Sequence, residues 1–256
     1  MTSFRDQVVF ITGASSGIGR SCARAFGRQG ARVLMAARRL DRLEKLAADL
    51  KAEFGAESHC FALDVRDQAA VERAVSALTL EWEAVDVLVN NAGLSRGLDK
   101  LHEGKITDWE EMIDTNVKGL LYVSRAVIPG MVRRGRGHII NIGSIAGREV
   151  YPNGNVYCAT KAAVNALSKG LRLDLTGTPL RVSLVDPGMV ETEFSLVRFH
   201  GDKDRAARVY HGLIPLTPDD IADAVMFCAT RPPHVNVSEL VVYPTAQASA
   251  TLVHRK

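Results

Sequence analysis

The sequence predicts an α/β fold in which a doubly wound parallel sheet carries helices on both faces. Short, continuously apolar segments alternate with longer segments of helical periodicity, a pattern typical of βαβ units with buried strands. A glycine-rich turn follows the first apolar segment, as expected where a strand passes into a helix. The 256 residues contain no linker, internal repeat or low-complexity tract, so residues 1–256 are predicted to form a single domain.

The strands are predicted from apolar runs that are bounded by turn residues. Because polar residues do not alternate within these runs, both faces of the sheet should be covered. The predicted strands are 8–11, 32–37, 60–63, 85–89, 138–142 and 180–185, with an edge strand at 239–243.

The helices are predicted from apolar residues that recur three and four positions apart. The longest of them contains Pro129, which should bend it or end it locally. Residues 187–215 break the alternation and are predicted to form a lid over a substrate. The predicted helices are 21–29, 40–54, 68–82, 107–134, 155–175 and 219–229.

Composition and charge exclude several classes of protein. The chain has 46% hydrophobic and 24% charged residues and a net charge of +3, too mild for a nucleic-acid-binding protein. The four cysteines show neither C-x-x-C nor Cys/His spacing, so no metal site is expected. No segment has the apolar length of a membrane span, and the first residues do not resemble a signal peptide. We therefore expect a cytoplasmic protein that does not enter membranes.

The first turn has the spacing G-x-x-x-G-x-G, formed by Gly13, Gly17 and Gly19 between a strand and a helix. Such glycines permit a tight turn and let backbone N–H groups approach an anionic diphosphate at the helix N-terminus. A turn of this kind can also serve packing alone, but the strand–turn–helix context favours a Rossmann-like dinucleotide site. Its predicted cofactor contacts are Gly13, Ser15, Ser16, Gly17, Ile18 and Gly19.

The end of the second strand indicates which dinucleotide binds. An NAD site usually has an acidic residue there for the ribose hydroxyls, whereas this chain has Arg38 and Arg39. Two guanidinium groups suit a 2′-phosphate, so NADP is the predicted cofactor. The alternative is a solvated arginine pair, although cations are unfavourable at the start of a helix. Asp41 is expected to cap that helix.

Two further strand ends carry polar residues on the same edge of the sheet, where ligands bind in open α/β folds. Asp64 and Val65 follow the third strand, and Asp64 either accepts a hydrogen bond from an adenine amino group or caps the next helix. Asn91, Ala92 and Gly93 follow the fourth strand and are predicted to shape the loop beside the cofactor.

Ser144, Tyr157 and Lys161 are the candidate catalytic residues. Tyr157 and Lys161 are four positions apart in a predicted helix and should emerge on one face. An ammonium beside a phenol favours the phenolate, so the pKa of Tyr157 is predicted to fall toward working pH. Such a tyrosine can exchange a proton with an alcohol or carbonyl oxygen. Ser144 follows the fifth strand, at the same edge as the cofactor loops.

These residues, taken together, resemble those of the short-chain dehydrogenase/reductase family. The resemblance covers nearly the whole chain and includes residues 12–19, residues 90–93, Asn116, Ser144, Tyr157, Lys161, Pro187 and Gly188.

The resemblance implies that Ser144 positions the substrate oxygen and that Tyr157 is the general acid or base. Lys161 is implied to lower the pKa of Tyr157 and to bind the nicotinamide ribose, and Asn116 to hold a proton-relaying water. From the sequence pattern alone, Asn116 either serves a helix irregularity or organises a water, since a buried amide needs partners. The remaining implied cofactor contacts are Pro187, Gly188, Val190 and Thr192.

A closer resemblance, to the NADP-dependent 3-hydroxy acid dehydrogenases, lies in residues 109–116, 137–144, 193–199 and 234–236. It implies a homotetramer and the interconversion of the 3-hydroxyl and 3-carbonyl of short hydroxy acids such as serine, allo-threonine and 3-hydroxypropionate. A broad-range carbonyl reductase is the alternative among enzymes. A non-catalytic NADPH-binding regulator is the alternative from another class of protein.

A substrate with a carboxylate needs a cationic anchor, because bidentate guanidinium–carboxylate pairing orients the reacting carbon. Arg148, four residues after Ser144, is the first candidate. Arg198 and Arg205 in the lid segment are the alternatives.

Overall fold

The computed structural model describes residues 4–256 and contains one seven-stranded sheet in which all strands run parallel. This confirms the predicted fold class. The observed strands are β1 (Val8–Thr12), β2 (Arg32–Ala37), β3 (Ser58–Ala62), β4 (Val85–Asn90), β5 (His138–Ile142), β6 (Arg181–Pro187) and β7 (Glu239–Val242).

The strand order β3-β2-β1-β4-β5-β6-β7 fixes where a ligand can bind. The chain proceeds outward from β1 toward β3 and then returns to the other side of β1 to build β4 through β7. The connections leaving β1 and β4 therefore diverge and open a crevice at the carboxyl ends of these strands.

Helices cover both faces of the sheet. They are α1 (Gly17–Arg28), α2 (Leu40–Phe54), α3 (Gln68–Ser76), α4 (Ile106–Ile113), α5 (Leu120–Arg134), α6 (Asn155–Asp174), α7 (Phe194–Arg198), α8 (Lys203–Arg208) and α9 (Pro218–Ala229). Val9 and Ile11 of β1 pack with α1, α2 and α9, whereas Val8 and Phe10 pack with α3 and α5, because neighbouring strand residues point to opposite faces.

For α1 and α3, one predicted boundary differs from the observed boundary by several residues. Helix α1 begins at Gly17, inside the glycine turn, rather than at residue 21. Helix α3 ends at Ser76 rather than at residue 82. The Ser76 hydroxyl donates to the Glu72 carbonyl at 2.7 Å, and the chain then turns, with the Trp82 amide bonded to the Thr79 carbonyl. Hydrogen bonding of the Ser76 side chain to the backbone thus competes with continuation of the helix.

The predicted helix 107–134 is divided into three segments. A π-helix at Asp114–Gly119 lies between α4 and α5 and contains the buried Asn116. Pro129 does not end α5, which continues to Arg134 and closes on Gly135 in the left-handed conformation. The missing amide of Pro129 is tolerated because Val127 and Met131 remain buried against the sheet.

The lid segment 187–215 contains the short helices α7 and α8. The end of the chain runs back against it, since the amide of Lys256 donates to the Gly212 carbonyl at 3.0 Å. The Arg255 guanidinium also donates to the carbonyls of Val209 and His211. Within residues 4–256, none of the helices combines the length and apolar character needed to cross a membrane.

His138 at the start of β5 should make the stability of the fold depend on pH. It is 2% exposed, and burial lowers its pKa to about 3. The unfolded chain takes up a proton below about pH 6.5 and the folded chain does not, so the free energy of unfolding should fall as the pH drops. We expect His138 to contribute about 2 kcal/mol of this loss between pH 7.5 and pH 5.

Urea denaturation at several pH values will measure this contribution. His138→Gln should show a shallower decline in stability below pH 6.5 than the wild type. His102→Gln, which changes a histidine side chain that is 75% exposed, should retain the wild-type decline. Parallel pH profiles for wild type and His138→Gln would contradict the prediction.

Candidate functional site

A cavity of about 670 Å³ opens at the carboxyl ends of the strands, between the glycine turn and the lid. It brings together most of the residues selected from the sequence. Gly19, Asn116, Arg148 and Arg205 are the exceptions and lie outside its lining. The predicted site residues that line it are Gly13, Ser15, Ser16, Gly17, Ile18, Arg38, Arg39, Asp64, Val65, Asn91, Ala92, Gly93, Ser144, Tyr157, Lys161, Pro187, Gly188, Val190 and Thr192.

The glycine turn requires glycine for two different reasons. Gly13 and Gly17 have φ angles of 67° and 52°, in the left-handed region that side chains disfavour. Gly19 is needed for space instead, since a Cβ atom there would lie 2.5 Å from Asn91 Nδ2 and 2.6 Å from the Gly13 carbonyl oxygen. The turn therefore packs directly on the end of β4.

Thr12 and Asn91 lock this packing. The Thr12 hydroxyl accepts from the backbone amides of Asn91 and Ala92, each at 3.1 Å. The Asn91 side chain donates to the carbonyls of Thr12 and Gly13, at 2.9 and 3.2 Å. Sequence reasoning placed Thr12 in the family motif without a role; the structure shows that it joins the two loops of the crevice.

Arg39 faces the glycine turn, and its guanidinium donates to the hydroxyls of Ser15 and Ser16 at 3.2 and 2.9 Å. It also pairs at 2.8 Å with Glu193 of the lid, which bonds Arg42 as well. Arg38 is more exposed and also lines the cavity.

Asp41 does not cap α2 as predicted, because the helix begins at Leu40 and places Asp41 in its first turn.

Asp64 lines the cavity with its carboxylate held by Arg66, through contacts of 2.6 and 3.0 Å. The Arg66 guanidinium lowers the pKa of Asp64, so the group is a carboxylate at neutral pH. Asp67, and not Asp64, caps α3, by accepting from the amide of Ala70.

Asn116 lies outside the cavity lining, next to the helix that carries Tyr157 and Lys161. Its side chain accepts from the Leu94 amide and donates to the Leu94 carbonyl, both at 2.8 Å, and donates to the Thr160 hydroxyl at 3.0 Å. A Cβ atom on Gly93 would lie 3.2 Å from Asn116 Oδ1 and 3.5 Å from Lys161 Nζ. Asn116 thus joins the loop after β4 to α6 by hydrogen bonds. It lies in a π-helical segment, and this segment is the helix irregularity that the sequence pattern offered as one of two alternatives.

Tyr157 and Lys161 line the cavity from the same face of α6, as their spacing predicts. The Lys161 ammonium donates to the Ile142 carbonyl at 3.0 Å.

The pKa of Tyr157 is raised, not lowered as predicted. Burial opposes the phenolate more strongly than nearby Arg198 and a hydrogen bond with Ser144 favour it. Burial also lowers the pKa of Lys161 to about 8, against the opposing effect of Asp186. Lys161 therefore titrates closer to neutral pH than an exposed lysine does, a consequence of tertiary burial that spacing along a helix does not reveal.

The structure does not place Arg148 where a substrate anchor is needed. Its guanidinium bonds Asp186 at 2.6 Å and also Glu239, and these carboxylates occupy it outside the cavity. Arg198, an alternative from the sequence, lines the cavity, with its guanidinium carbon 5.3 Å from the Tyr157 ring centroid. Its Nε is buried and has no hydrogen-bond partner among residues 4–256.

Several cavity residues were not predicted. Tyr151, Phe194 and Tyr210 line the cavity together with Arg198 and Tyr157. A second group comes from the last residues of the chain, which have no periodicity or motif that could have indicated this position. The tail residues that line the cavity are Gln247, Ala250, Thr251, Val253 and Arg255.

These features fit a dinucleotide that carries a phosphate near Arg39. The glycine turn leaves room for a close backbone approach at the start of α1, where Ser16 makes no side-chain cap bond and the helix presents its free amides.

Gly19→Ala should weaken dinucleotide binding at least about tenfold, because the added methyl must displace Asn91 or the Gly13 carbonyl. Gly170→Ala is the matched control: this helical glycine has no atom within 4 Å of a Cβ position, and alanine there should change stability by no more than about 1 kcal/mol. Fluorescence titration with NADPH measures the affinity, and urea denaturation measures stability. Equal affinity in both variants would contradict the packing role of Gly19.

Comparison with known proteins places the chain among enzymes. Residues 7–201 match the model of the short chain dehydrogenase family. The NADP-dependent 3-hydroxy acid dehydrogenase of Escherichia coli strain K12 is 48% identical over 251 residues, covering 97% of this chain and all of the relative. The enzyme of that name from Schizosaccharomyces pombe is 42% identical over 257 residues, covering 100% of this chain and 99% of the relative.

Solved structures give the same result. The closed form of serine dehydrogenase complexed with NADP+ superposes with a TM-score of 0.91 at 48% identity, covering 98% of this chain and all of that one. An alcohol dehydrogenase from Thermococcus sibiricus, complexed with 5-hydroxy-NADP, has a TM-score of 0.82 at 33% identity, with 94% and 97% covered. The chain, which has the parallel sheet, the glycine turn and the Tyr157–Lys161 helix described above, belongs to the short chain dehydrogenase family.

Proposed function

We propose that this protein is an NADP(H)-dependent oxidoreductase that interconverts the 3-hydroxyl and 3-carbonyl of short hydroxy acids. The observation that carries the proposal is the position of Arg198: a lid guanidinium with an unpaired, buried Nε beside Tyr157. The names of the relatives support the same reaction class. Serine, allo-threonine and 3-hydroxypropionate are the substrates that this proposal places first.

Preference for NADP is supported by the guanidinium of Arg39, which lies against the hydroxyls of Ser15 and Ser16. A 2′-phosphate would receive charge-assisted hydrogen bonds there, with Arg38 as a second cation. Within residues 4–256, the end of β2 carries Arg38 and Arg39 where NAD sites have an acidic residue for the ribose hydroxyls. The acidic side chain of Glu193 comes from the lid and pairs with Arg39 and Arg42.

The chemistry divides between the cofactor and the protein. Bound NADP accepts or donates the hydride. Tyr157 moves the proton at the substrate oxygen through its phenolic hydroxyl, and Ser144 donates a hydrogen bond to that oxygen. Burial raises the pKa of Tyr157, and the Arg198 guanidinium and a hydrogen bond with Ser144 offset part of this rise. In this proposal the Lys161 ammonium, on the same face of α6, further favours the phenolate. Asn116 fixes the loop that faces Lys161.

Arg198 gives the substrate its orientation in this proposal. Its guanidinium lies over the rings of Tyr157 and Phe194, and it donates to the Tyr151 hydroxyl at 3.0 Å. These contacts limit its rotamers, so little side-chain entropy remains to be lost when a carboxylate binds. A carboxylate accepting from Arg198 would place C3, the hydroxyl-bearing carbon two bonds from the carboxyl carbon, near Tyr157.

We further propose that the enzyme is a cytoplasmic homotetramer. All four cysteines are free thiols, as in a reducing compartment. Exposed apolar side chains on α4, α5, α6, α9 and the edge strand are available for contacts between subunits. They are Ile113, Leu121, Val132, Leu173, Phe227 and Val241.

Replacement of Arg39 tests the cofactor. Arg39→Ala should raise KM for NADP at least about tenfold and change KM for NAD far less, because the lost hydrogen bonds are charge-assisted. Arg24→Ala removes an arginine from a surface ion pair with Glu53 and should leave both constants unchanged. Steady-state kinetics with each coenzyme provides the comparison, and equal kcat/KM for NADP and NAD in the wild type would refute NADP preference.

Replacement of Arg198 tests the substrate class. Arg198→Met should raise KM for L-serine or 3-hydroxypropionate at least about tenfold while changing KM for a neutral alcohol little. Arg205→Met is the control, since Arg205 packs on Phe199 outside the cavity. Tyr157→Phe, which lacks the phenolic hydroxyl, gives the rate that remains without proton transfer by Tyr157. Equal losses on acidic and neutral substrates would remove Arg198 from this role and favour a broad-range reductase.

A further inference from the structure

Asp186, at the carboxyl end of β6, is a fully buried carboxylate with 0% exposure. A buried charge is costly unless it is paired and hydrogen-bonded. One oxygen accepts from the backbone amide of Ser144 at 2.9 Å, and the other accepts from Arg148 at 2.6 Å. Both of its partners belong to the loop that carries a catalytic side chain.

The backbone is shaped around this carboxylate. A methyl group on Gly143 would overlap Asp186 Oδ1, so glycine at position 143 gives the carboxylate room beside the catalytic loop. The same loop is bonded to the sheet through the Gly143 amide and the Val185 carbonyl, at 2.8 Å. The Ser144 loop is therefore held by two hydrogen bonds, one from the Ser144 amide to the Asp186 carboxylate and one from the Gly143 amide to the Val185 carbonyl. Of these two acceptors, the carboxylate is the charged one.

Arg148 completes the arrangement. Its guanidinium bridges Asp186 and Glu239 of β7, and Glu239 also lies 3.6 Å from Lys169 and from Arg172 of α6. The arginine that we predicted to bind substrate thus neutralises part of the charge of Asp186. Glu239 lies on the far side of Arg148 from Asp186, so it supplies a matched carboxylate for comparison.

The charge of Asp186 also acts on Lys161. Both groups are buried and lie against the same stretch of backbone: the Lys161 ammonium donates to the Ile142 carbonyl at 3.0 Å, and a methyl group on the next residue, Gly143, would overlap Asp186 Oδ1. In this position the Asp186 carboxylate opposes the loss of the Lys161 proton. The groups that face Asp186 are Arg148, Lys161, the Ser144 amide and the more distant Tyr243. Of these, only Lys161 lines the reaction cavity with an ionisable group that titrates near neutral pH.

We propose that Asp186 is a positioning residue for the reaction: it holds the Ser144 loop through a backbone hydrogen bond, and its charge sets the pH range over which Lys161 remains an ammonium. The kinetic part of this inference rests on the proposed oxidoreductase function. The electrostatic part concerns Lys161 alone.

The pH profile of hydroxy acid oxidation tests the charge. Asp186→Asn removes a negative charge near the ammonium, so Lys161 loses its proton at lower pH. The alkaline limb of kcat/KM should move to lower pH by about 0.5 unit or more. Glu239→Gln, the same carboxylate-to-amide change beyond Arg148, should leave the limb in place. A lower rate with an unmoved limb in Asp186→Asn would mean a structural role only and would overturn the proposal.

A second variant guards against misfolding. Asp186→Asn with Arg148→Gln replaces the ion pair by two amides, so neither member of that pair is left as a charge without its counterion. The alkaline limb should still move to lower pH, because Asp186 is the partner of Lys161 in this pair. Circular dichroism and thermal melting of each variant establish that the fold is retained. An alkaline limb that stays at the wild-type position in the double variant would contradict the proposal.

A measurement without turnover separates this inference from the proposed function. Competitive acetylation of Lys161 with acetic anhydride across pH, quantified by mass spectrometry against the exposed Lys45, reports the pH at which Lys161 loses its proton. The midpoint should be lower in Asp186→Asn than in the wild type and unchanged in Glu239→Gln. A wild type that turns over no hydroxy acid would refute the proposed function, whereas equal midpoints in all three proteins would refute the role of Asp186.

Discussion

Lys161 places an ammonium where water has little access, and the pKa of about 8 that results reflects the cost of burying its charge. The surrounding structure offsets part of that cost. The Ile142 carbonyl accepts from the ammonium at the end of β5, and Asp186 at the end of β6 contributes a negative charge. Strands that end together at one edge of a parallel sheet make this possible, because a carbonyl and a carboxylate from distant parts of the chain reach the same lysine.

The other side of the cavity depends on close backbone packing. Gly13 and Gly19 let the first turn approach the end of β4, and Thr12 and Asn91 fix the two loops together. This packing leaves the start of α1 facing the cavity, where its free backbone amides are available to an anion. A side chain at Gly19 would separate two loops that belong to different halves of the fold.

The lid is joined to both halves of the site. Glu193 pairs with Arg39 beside the glycine turn, and the Arg96 side chain donates to the Val197 carbonyl at 2.6 Å. The Gly97 amide donates to the Arg198 carbonyl at 2.9 Å. These contacts hold Arg198 beside the Tyr157 ring, so the position of the lid determines where this guanidinium lies in the cavity. Because the chain end also bonds the lid, residues far apart in the sequence share one wall of the cavity.

The sequence by itself determined the parallel sheet, its strands and the group of residues at its carboxyl edge. Continuous apolar runs, a glycine turn and an i, i+4 Tyr157–Lys161 pair are local patterns, and local geometry fixes their outcome. Only the tertiary structure decided that Arg148 pairs with Asp186 and that Arg198 lies beside Tyr157. The raised pKa of Tyr157 and the position of the tail likewise depend on burial and on contacts between distant segments, which spacing along the chain does not specify.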